Sequence, residues 1–388
     1  MLRQAAVVTL FGLGGIPHRL GSSVVVVVGI MAVVGVLMSV LTMARSLEGS
    51  LLASGSAERA IVLRGGAASE AQSVLPLAAA AVIANAAGIA RTAGDKPAAT
   101  ADLLMPVNLA RRSDGALAAV AVRGVSELAV RPEVAIVAGR AFVPGVRELV
   151  VGRAAQAAFN GLDIGGRIIL RDGEWPIVGV FASGTSLESG MLADAATLLS
   201  AFSRTEVNSV TVRLESPDAF DAFKTALTTN PALSVDVLRE PDYYAAEAAD
   251  VAALFFFVTY VVGAIMASGA VFGALNTMYS AVSARTIEIA TLRALGFGAA
   301  GVVTSVLAEA LLLALLGALL GAAVAWGLFN GDTISLGGQE RSLVTPLRIT
   351  WSTLAAGITC ACAVGLLGGL LPAIRAARLP VAVALRPD

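Results

Sequence analysis

The chain reads ARTIEIATLRALGFG from Ala284 to Gly298, a charged break between two very apolar runs. Val251 to Ala284 contains no charged residue, and Ala294 to Gly331 contains only Glu309. Each run exceeds the ~20 residues that cross a bilayer as a helix. The break is therefore a connector at one membrane face. At about 100° per residue, Arg285, Glu288 and Arg293 fall within an arc of roughly 140° that also holds Ile289 and Leu292. Such a face suits a docking helix for a soluble partner, with a solvated connector of no further role as the plainer alternative. Gly296 and Gly298 are expected to stop the helix, because glycine takes a left-handed cap without steric cost.

Composition sets the class. Hydrophobic residues make up 57% of the 388 residues and only 14% are charged, with a mean hydropathy of +0.81. A polytopic membrane protein follows. The net charge of -1 conceals an asymmetry. Residues 1–19, 285–293 and 375–388 together carry seven Arg against two acids, whereas residues 45–250 carry 18 basic and 23 acidic residues. Cationic segments near span ends stay in the cytoplasm, which puts both termini and the docking stretch inside and the long acidic segment outside.

Outward from the break, residues 251–284 form a second span with a stalk. Thirty-four uncharged residues would make about 50 Å of helix against a hydrocarbon core of about 30 Å. Pro241 to Asp250 is helix-prone and runs into it without a breaker. Residues 299–330 form the third span, 331–348 an outer loop, 349–374 the fourth span ended by Pro372, Arg375 and Arg378, and 375–388 a cytoplasmic tail. Residues 20–44 are the first span, an uncleaved anchor preceded by a cytoplasmic segment, 1–19. Residues 285–298 are the docking stretch between the second and third spans.

Residues 45–250 form one extracytoplasmic domain, long enough to bury its own core. The uncharged run Ala71 to Ala90 holds Gln72, Pro76 and Asn85 and is mostly alanine, so a soluble helix is expected rather than a span. Arg167 to Leu170 and Trp175 to Phe181 flank Asp172-Gly173, a hairpin signal. Val207 to Leu214 and Leu233 to Leu238 read as strands. Between them Ser216 is placed to cap a helix with Pro217 at its first position, and Phe220, Phe223 and Leu227 as its buried face. Strand, helix and strand within about 30 residues suggest a crossover unit. The fold class is thus four transmembrane helices in a 1+3 arrangement with a large mixed α+β extracytoplasmic domain.

Several chemistries are excluded. The two lysines, Lys96 and Lys224, follow Asp95 and Phe223, so no Walker A loop is present and the chain is not itself an ATPase. His18 is the sole histidine, and Cys360 and Cys362 lie in an apolar run. His-ligated zinc, Cys or His catalysis and a disulfide framework are therefore excluded from residues 45–250. A serine activated by Lys224 has no supporting motif. No enzyme activity, no resident cofactor or metal and no nucleic-acid partner are expected. Glu309 is the one acid inside an apolar run, near mid-bilayer by helical rise, and is a candidate functional group by default. The alternative is a packing role, protonated or hydrogen-bonded to another helix such as at Asn276. Gly317 with Gly321, Gly269 with Gly273 and Gly365 with Gly369 allow close helix contact within one chain or between two.

Taken together, these pieces resemble the permease subunit of the MacB and FtsX family of ABC transporters. The resemblance rests first on Arg285-Thr286-Ile287-Glu288-Ile289 with Leu292-Arg293-Ala294-Leu295-Gly296, similar to the family's R-x-x-E-I-x-x-L-R-A-L-G motif. Glu309 and Gly317 match a third-span glutamate and glycine, and Leu371-Pro372-Ala373 with Arg375-Ala376-Ala377-Arg378 resembles the family's P-A-x-R-A-A tail. Ala138 to Phe142, Glu148 to Gly152, Gly165 to Ile168 and Ile177 to Phe181 resemble the family's periplasmic core domain. The resemblance implies a permease in the cytoplasmic membrane, working as a dimer with a second copy or a paralogue. It also implies a separate ATPase subunit, carrying ATP and Mg, docked on Arg285, Glu288, Ile289, Leu292, Arg293 and Gly296. ATP-driven motion would pass up the second helix to the outer domain for export or handling of a substrate, with a periplasmic adaptor as a further partner beside membrane lipids. Two alternatives stand: an FtsX-like mechanotransmitting regulator of an extracytoplasmic enzyme, and a proton-coupled carrier centred on Glu309.

Overall fold

A computed structural model describes residues 20–378, apart from 93, 172, 296, 297, 332 and 338–341. The terminal segments 1–19 and 379–388, Asp172 and Gly296 therefore lie outside the described residues. In chain order the helices are α1 (Leu20–Leu52), α2 (Leu77–Ala84), α3 (Arg153–Ala158), α4 (Ala195–Ala201), α5 (Phe220–Thr228), α6 (Glu240–Ala284), α7 (Thr286–Ala294), α8 (Ala299–Phe329) and α9 (Trp351–Arg378). The chain forms two units, one of residues up to Ala44, Ala253–Asp332 and those from Leu347, the other of Arg45–Ala252 with Thr333–Pro346.

In the first unit, α1, α6, α8 and α9 are each long and apolar enough to cross a membrane. A lipid environment offers no partner for backbone N–H and C=O groups, so such runs close all their hydrogen bonds within a helix. Small residues set the packing. A Cβ built on Gly317 would lie 2.9 Å from Ile30 Cβ, and one on Gly321 would lie 2.6 Å from the Met31 carbonyl oxygen, so α8 meets α1 backbone to backbone. Gly365 and Gly369 do the same for α9, each 2.7 Å from an α8 alanine Cβ, Ala314 or Ala310. Gly269 and Gly273 on α6 have nothing within 4 Å. Two of the three glycine pairs therefore serve contacts inside the chain. Pro372 does not end the last helix, as the sequence suggested, because α9 continues through it to Arg378.

The second unit holds strands β1 (Arg59–Arg64), β2 (Leu75–Pro76), β3 (Ala99–Ala110), β4 (Leu117–Val125), β5 (Ala135–Gly139), β6 (Leu149–Gly152) and β7 (Arg167–Leu170). These are followed by β8 (Gly173–Ala182), β9 (Met191–Asp194), β10 (Glu206–Val207), β11 (Ser209–Arg213), β12 (Val235–Arg239), β13 (Thr333–Gly337) and β14 (Ser342–Pro346). The main sheet runs β12-β1-β11-β3-β4-β9-β6-β8-β5, with β7 on β8. The expected hairpin is present as β7 against β8. The crossover unit is present too, and it is split: β1 lies between β11 and β12, antiparallel to both. Phe220, Phe223 and Leu227 are buried on α5 as their spacing predicts. β3 joins the two halves of the sheet, since Ala99 to Asp102 pair with β11 while Leu103 to Ala110 pair with β4. Each half has its own core, one around Ile83, Val210 and Phe223, the other around Leu149, Phe159 and Trp175.

Four expectations need correction here. Ser216 makes no cap hydrogen bond, and a 3₁₀ turn, Pro217–Ala219, precedes α5 instead. The alanine-rich run is helical only over α2, because Pro76 joins a two-residue strand before it and Asn85 ends it. The expected strand from Val207 breaks at Asn208, whose side-chain oxygen accepts from Leu104 N at 2.7 Å and so replaces a strand neighbour. The connector between the third and fourth spans is a β-hairpin, β13 against β14, and belongs to the second unit.

The glycine contacts make a direct prediction. Gly321→Ala should lower the melting stability of the detergent-solubilised protein by about 1–3 kcal/mol through overpacking, whereas Gly273→Ala, with open space around it, should leave it unchanged or slightly raised. Equal effects of the two substitutions in a thermal melt would contradict the helix arrangement.

Candidate functional site

The charged break folds as the helix α7, set off from α6 by Arg285 in a non-helical conformation (φ -106°, ψ 15°). Gly298 does not close it. That residue has φ -69° and is the N-cap of α8. Ile289 is buried against Val282, Val302, Val306, Ala373 and Ala376, and Ala290 beside it in the chain is buried as well. Ile289, expected on a docking surface, thus faces its own chain's helices. Glu288 is exposed and Arg293 is half-buried. Among the described residues, Ile287 and Leu295 are the large apolar side chains facing outward, and a motif defined by its charged and spaced positions does not single them out. The side chain of Leu292 lies outside the described residues.

Arg285 turns away from this outer face. Its Nη1 lies 3.1 Å from Glu309 Oε2, with both side chains largely buried. Glu309 is ten residues into α8, about 15 Å along the helix, which is within reach of an arginine at the membrane face. The expected partner Asn276 is instead exposed on α6. A carboxylate among apolar helices is costly alone and tolerable when paired. The pair therefore ties the start of α7 to α8. Neutralising one partner leaves the other uncompensated. Glu309→Gln should cost on the order of 3 kcal/mol of thermal stability, and Arg285→Met with Glu309→Met should recover most of that loss; equal losses for single and double variants in detergent melts would contradict the pairing.

A second arrangement of charge lies in the α+β domain, where α6 begins. Three arginines and four acids drawn from sites between Arg59 and Glu240 meet there. Arg123, on β4, forks onto Glu70 with two contacts of 2.6 Å and reaches Asp102 at 2.8 Å. Arg131 reaches the same Asp102 oxygen at 2.6 Å. Arg59, on β1, donates to Glu240 at 2.5 Å and to Glu133 at 2.6 Å. Glu240 is the first residue of α6, and it also accepts from Ser56 N at 3.1 Å. One turn on, the Tyr243 hydroxyl accepts from Glu70 N at 3.0 Å. The chain leaving α1 is held by the same group, since Arg59 Nη2 donates to the Ser54 carbonyl at 3.3 Å. Gly55 is required beside it, because a Cβ there would lie 2.6 Å from Pro241 Cα.

These charges support one another. Burial alone would raise the Glu70 carboxyl, but the Arg123 guanidinium more than offsets it and holds the group at about 2. Burial, with the charge of Glu240, pushes the Tyr244 phenol up to about 12 and keeps it neutral. Every acid in the cluster faces an arginine, and no group of three or more His, Cys, Asp or Glu suited to a metal ion occurs among the described residues. The cluster anchors the first turn of α6 to the sheet. A sequence motif could not have shown it, because its members are scattered over about 180 residues. Glu70, ordinary in the unfolded chain at 4.5, contributes stability that is present above that value and lost as pH falls from about 4.5 towards 2. Glu70→Gln should flatten this acid limb in pH-dependent melts and cost about 3 kcal/mol at neutral pH; an unchanged acid limb would contradict the assignment.

Two family models match the chain in succession. Residues 22–230 match the family model described as MacB-like periplasmic core domain, and residues 260–381 match that described as FtsX-like permease C-terminal. Among solved structures, the periplasmic region of MacB from Actinobacillus actinomycetemcomitans is 14% identical, with 49% of this chain and 92% of that chain covered at a TM-score of 0.37. The extracellular domain of the noncanonic ABC-type transporter YknZ from Gram-positive bacteria is 15% identical, with 46% and 99% covered at a TM-score of 0.36. No curated protein matches the chain. With both family models matched in order over most of its length, the chain belongs to the MacB and FtsX family of ABC-transporter permeases, as a multi-pass membrane protein with an extracellular domain.

Proposed function

We propose that this chain is the permease subunit of an ABC transporter in the cytoplasmic membrane, with both termini inside, and that it conveys the motion of a separate ATPase to its outer domain. The observation that carries the reading is the continuity of α6, 45 residues without a break, or roughly 67 Å at 1.5 Å per residue. Its first turn is gripped by the ionic cluster through Glu240 and Tyr243, and its last residue adjoins Arg285, whose side chain is paired with Glu309. An unbroken helix held at both ends transmits displacement, which a flexible linker would absorb.

The ATPase, binding ATP and Mg on its own residues, docks on the exposed face of α7, with Ile287, Glu288 and Leu295 in contact. Ile289 supports that face from beneath. Two permease chains, identical or paralogous, flank the ATPase pair, and the outer domain exports or handles a substrate with a periplasmic adaptor. Use of the same lever to regulate an extracytoplasmic enzyme is the second reading. Pairing of Glu309 with Arg285 favours a packing and transmission role for that acid over a proton-carrying one.

The test is copurification from the native host in mild detergent. A P-loop ATPase should accompany the parent chain and be reduced at least tenfold with Ile287→Asp plus Leu295→Asp, both exposed, while the variant's membrane yield and melting temperature stay those of the parent. If no ATPase accompanies the parent, the reading fails. Recovery of an adaptor with the complex supports export, and recovery of a cell-wall hydrolase supports regulation.

A further inference from the structure

The 3₁₀ turn Ser186–Ser189, between β8 and β9, collects two segments that are far apart in the chain. At one end Ser186 N donates to Ser54 Oγ at 3.0 Å, and the two hydroxyl oxygens lie 2.9 Å apart. Ser54 is two residues beyond α1 and its hydroxyl also lies 2.9 Å from the Ser50 carbonyl. At the other end the Ser189 hydroxyl donates to the Val344 carbonyl at 3.0 Å and accepts from Val344 N at 2.8 Å. One serine side chain thus replaces a whole strand neighbour for Val344. That residue lies on β14, and its side chain is buried in the core that holds Leu149 and Trp175.

The turn is braced from both sides. Glu188 Oε1 accepts from Ser183 N at 2.6 Å and from Gly184 N at 2.7 Å. Gly152 backs it so closely that a Cβ there would lie 2.1 Å from the Glu188 carbonyl oxygen. Together with Arg123 of the ionic cluster and Tyr244 of α6, the turn borders a cavity of about 30 Å³. The segment leaving α1, the base of α6 and the hairpin joining α8 to α9 therefore all reach this one place.

A plain loop would suffice to join α8 to α9. An isolated two-stranded hairpin is marginal in water, and this one is held by the buried Val344 and by both Ser189 hydrogen bonds. We propose that the β13-β14 hairpin is a second transmission arm, with Ser189 and Ser54 as positioning residues that deliver the motion of α8 with α9, and of α1, to the turn Ser186–Ser189. This inference rests on the lever reading above, and it adds a route that does not run through α6.

The outer domain contains no cysteine, so spin labels can be placed cleanly once Cys360 and Cys362 are replaced by alanine. Labels at the exposed positions Val137, on β5, and Lys224, on α5 against the other half of the sheet, report their separation in the membrane-extracted ATPase complex with and without ATP and vanadate. The parent should show an ATP-dependent change. Ser189→Ala should reduce its amplitude at least twofold while ATP hydrolysis persists, and Ser54→Ala should reduce it separately. Full amplitude in Ser189→Ala would overturn the arm but leave the lever standing; no change in the parent would overturn the lever and the arm with it. Hydrogen exchange of the parent gives a reading that needs no variant. The Val344 amide and those of residues 187–190 should shift protection together on adding ATP, and unaltered protection at Val344 would overturn the proposal.

Discussion

Glu240 begins the longest helix of the chain inside a set of buried arginines, and much of the architecture follows from that placement. An acid at the first turn of a helix suits the positive end of the helix dipole. Here it is also held by Arg59, and it shares its surroundings with Arg131, Arg123, Glu70 and Asp102. Burying these charges is tolerable only as a set, since each would be costly without its partners. The set draws on β1, β3, β4, the chain after α1 and the start of α6, so the first turn of that helix is built into the sheet's own ionic network.

The membrane unit applies the same logic more sparingly. Glycines at 317, 321, 365 and 369 let helices approach backbone to backbone, which is how helices associate where no hydrophobic effect separates lipid from leucine. Among the described residues there, the one buried acid, Glu309, is balanced by Arg285, which lies between α6 and α7. Arg285 is therefore a joint, and Ile287, Glu288 and Leu295 on the exposed side of α7 form the face proposed for the ATPase.

The sequence made the spans legible because lipid demands long apolar runs, and it made the β7-β8 hairpin and the buried face of α5 legible because turn chemistry and helical spacing are local. Hidden from it were features built by distant residues. The ionic cluster has no spacing to recognise, and the β13-β14 hairpin depends on Ser189, more than 140 residues upstream of it. Ile289 was misplaced for a related reason. A motif states which residues recur together but not which of them face inward, and only the packing of α7 on Val302, Val306 and Ala373 decides that. Asn276 was likewise a plausible partner for Glu309 by polarity, and geometry chose the stronger, oppositely charged one.

The account stands on the rigidity of α6, and breaking that rigidity tests it most directly. A flexible Gly-Ser-Gly-Gly insertion between Ala252 and Ala253 leaves the ionic cluster, α7 and the face for the ATPase untouched. The measurement is the ATP-dependent change in the outer domain of the purified complex, alongside the amount of ATPase retained. The account predicts an unchanged ATPase yield and hydrolysis with an outer-domain response reduced severalfold. A response of full size in the inserted chain would show that α6 is not the lever and would contradict the account.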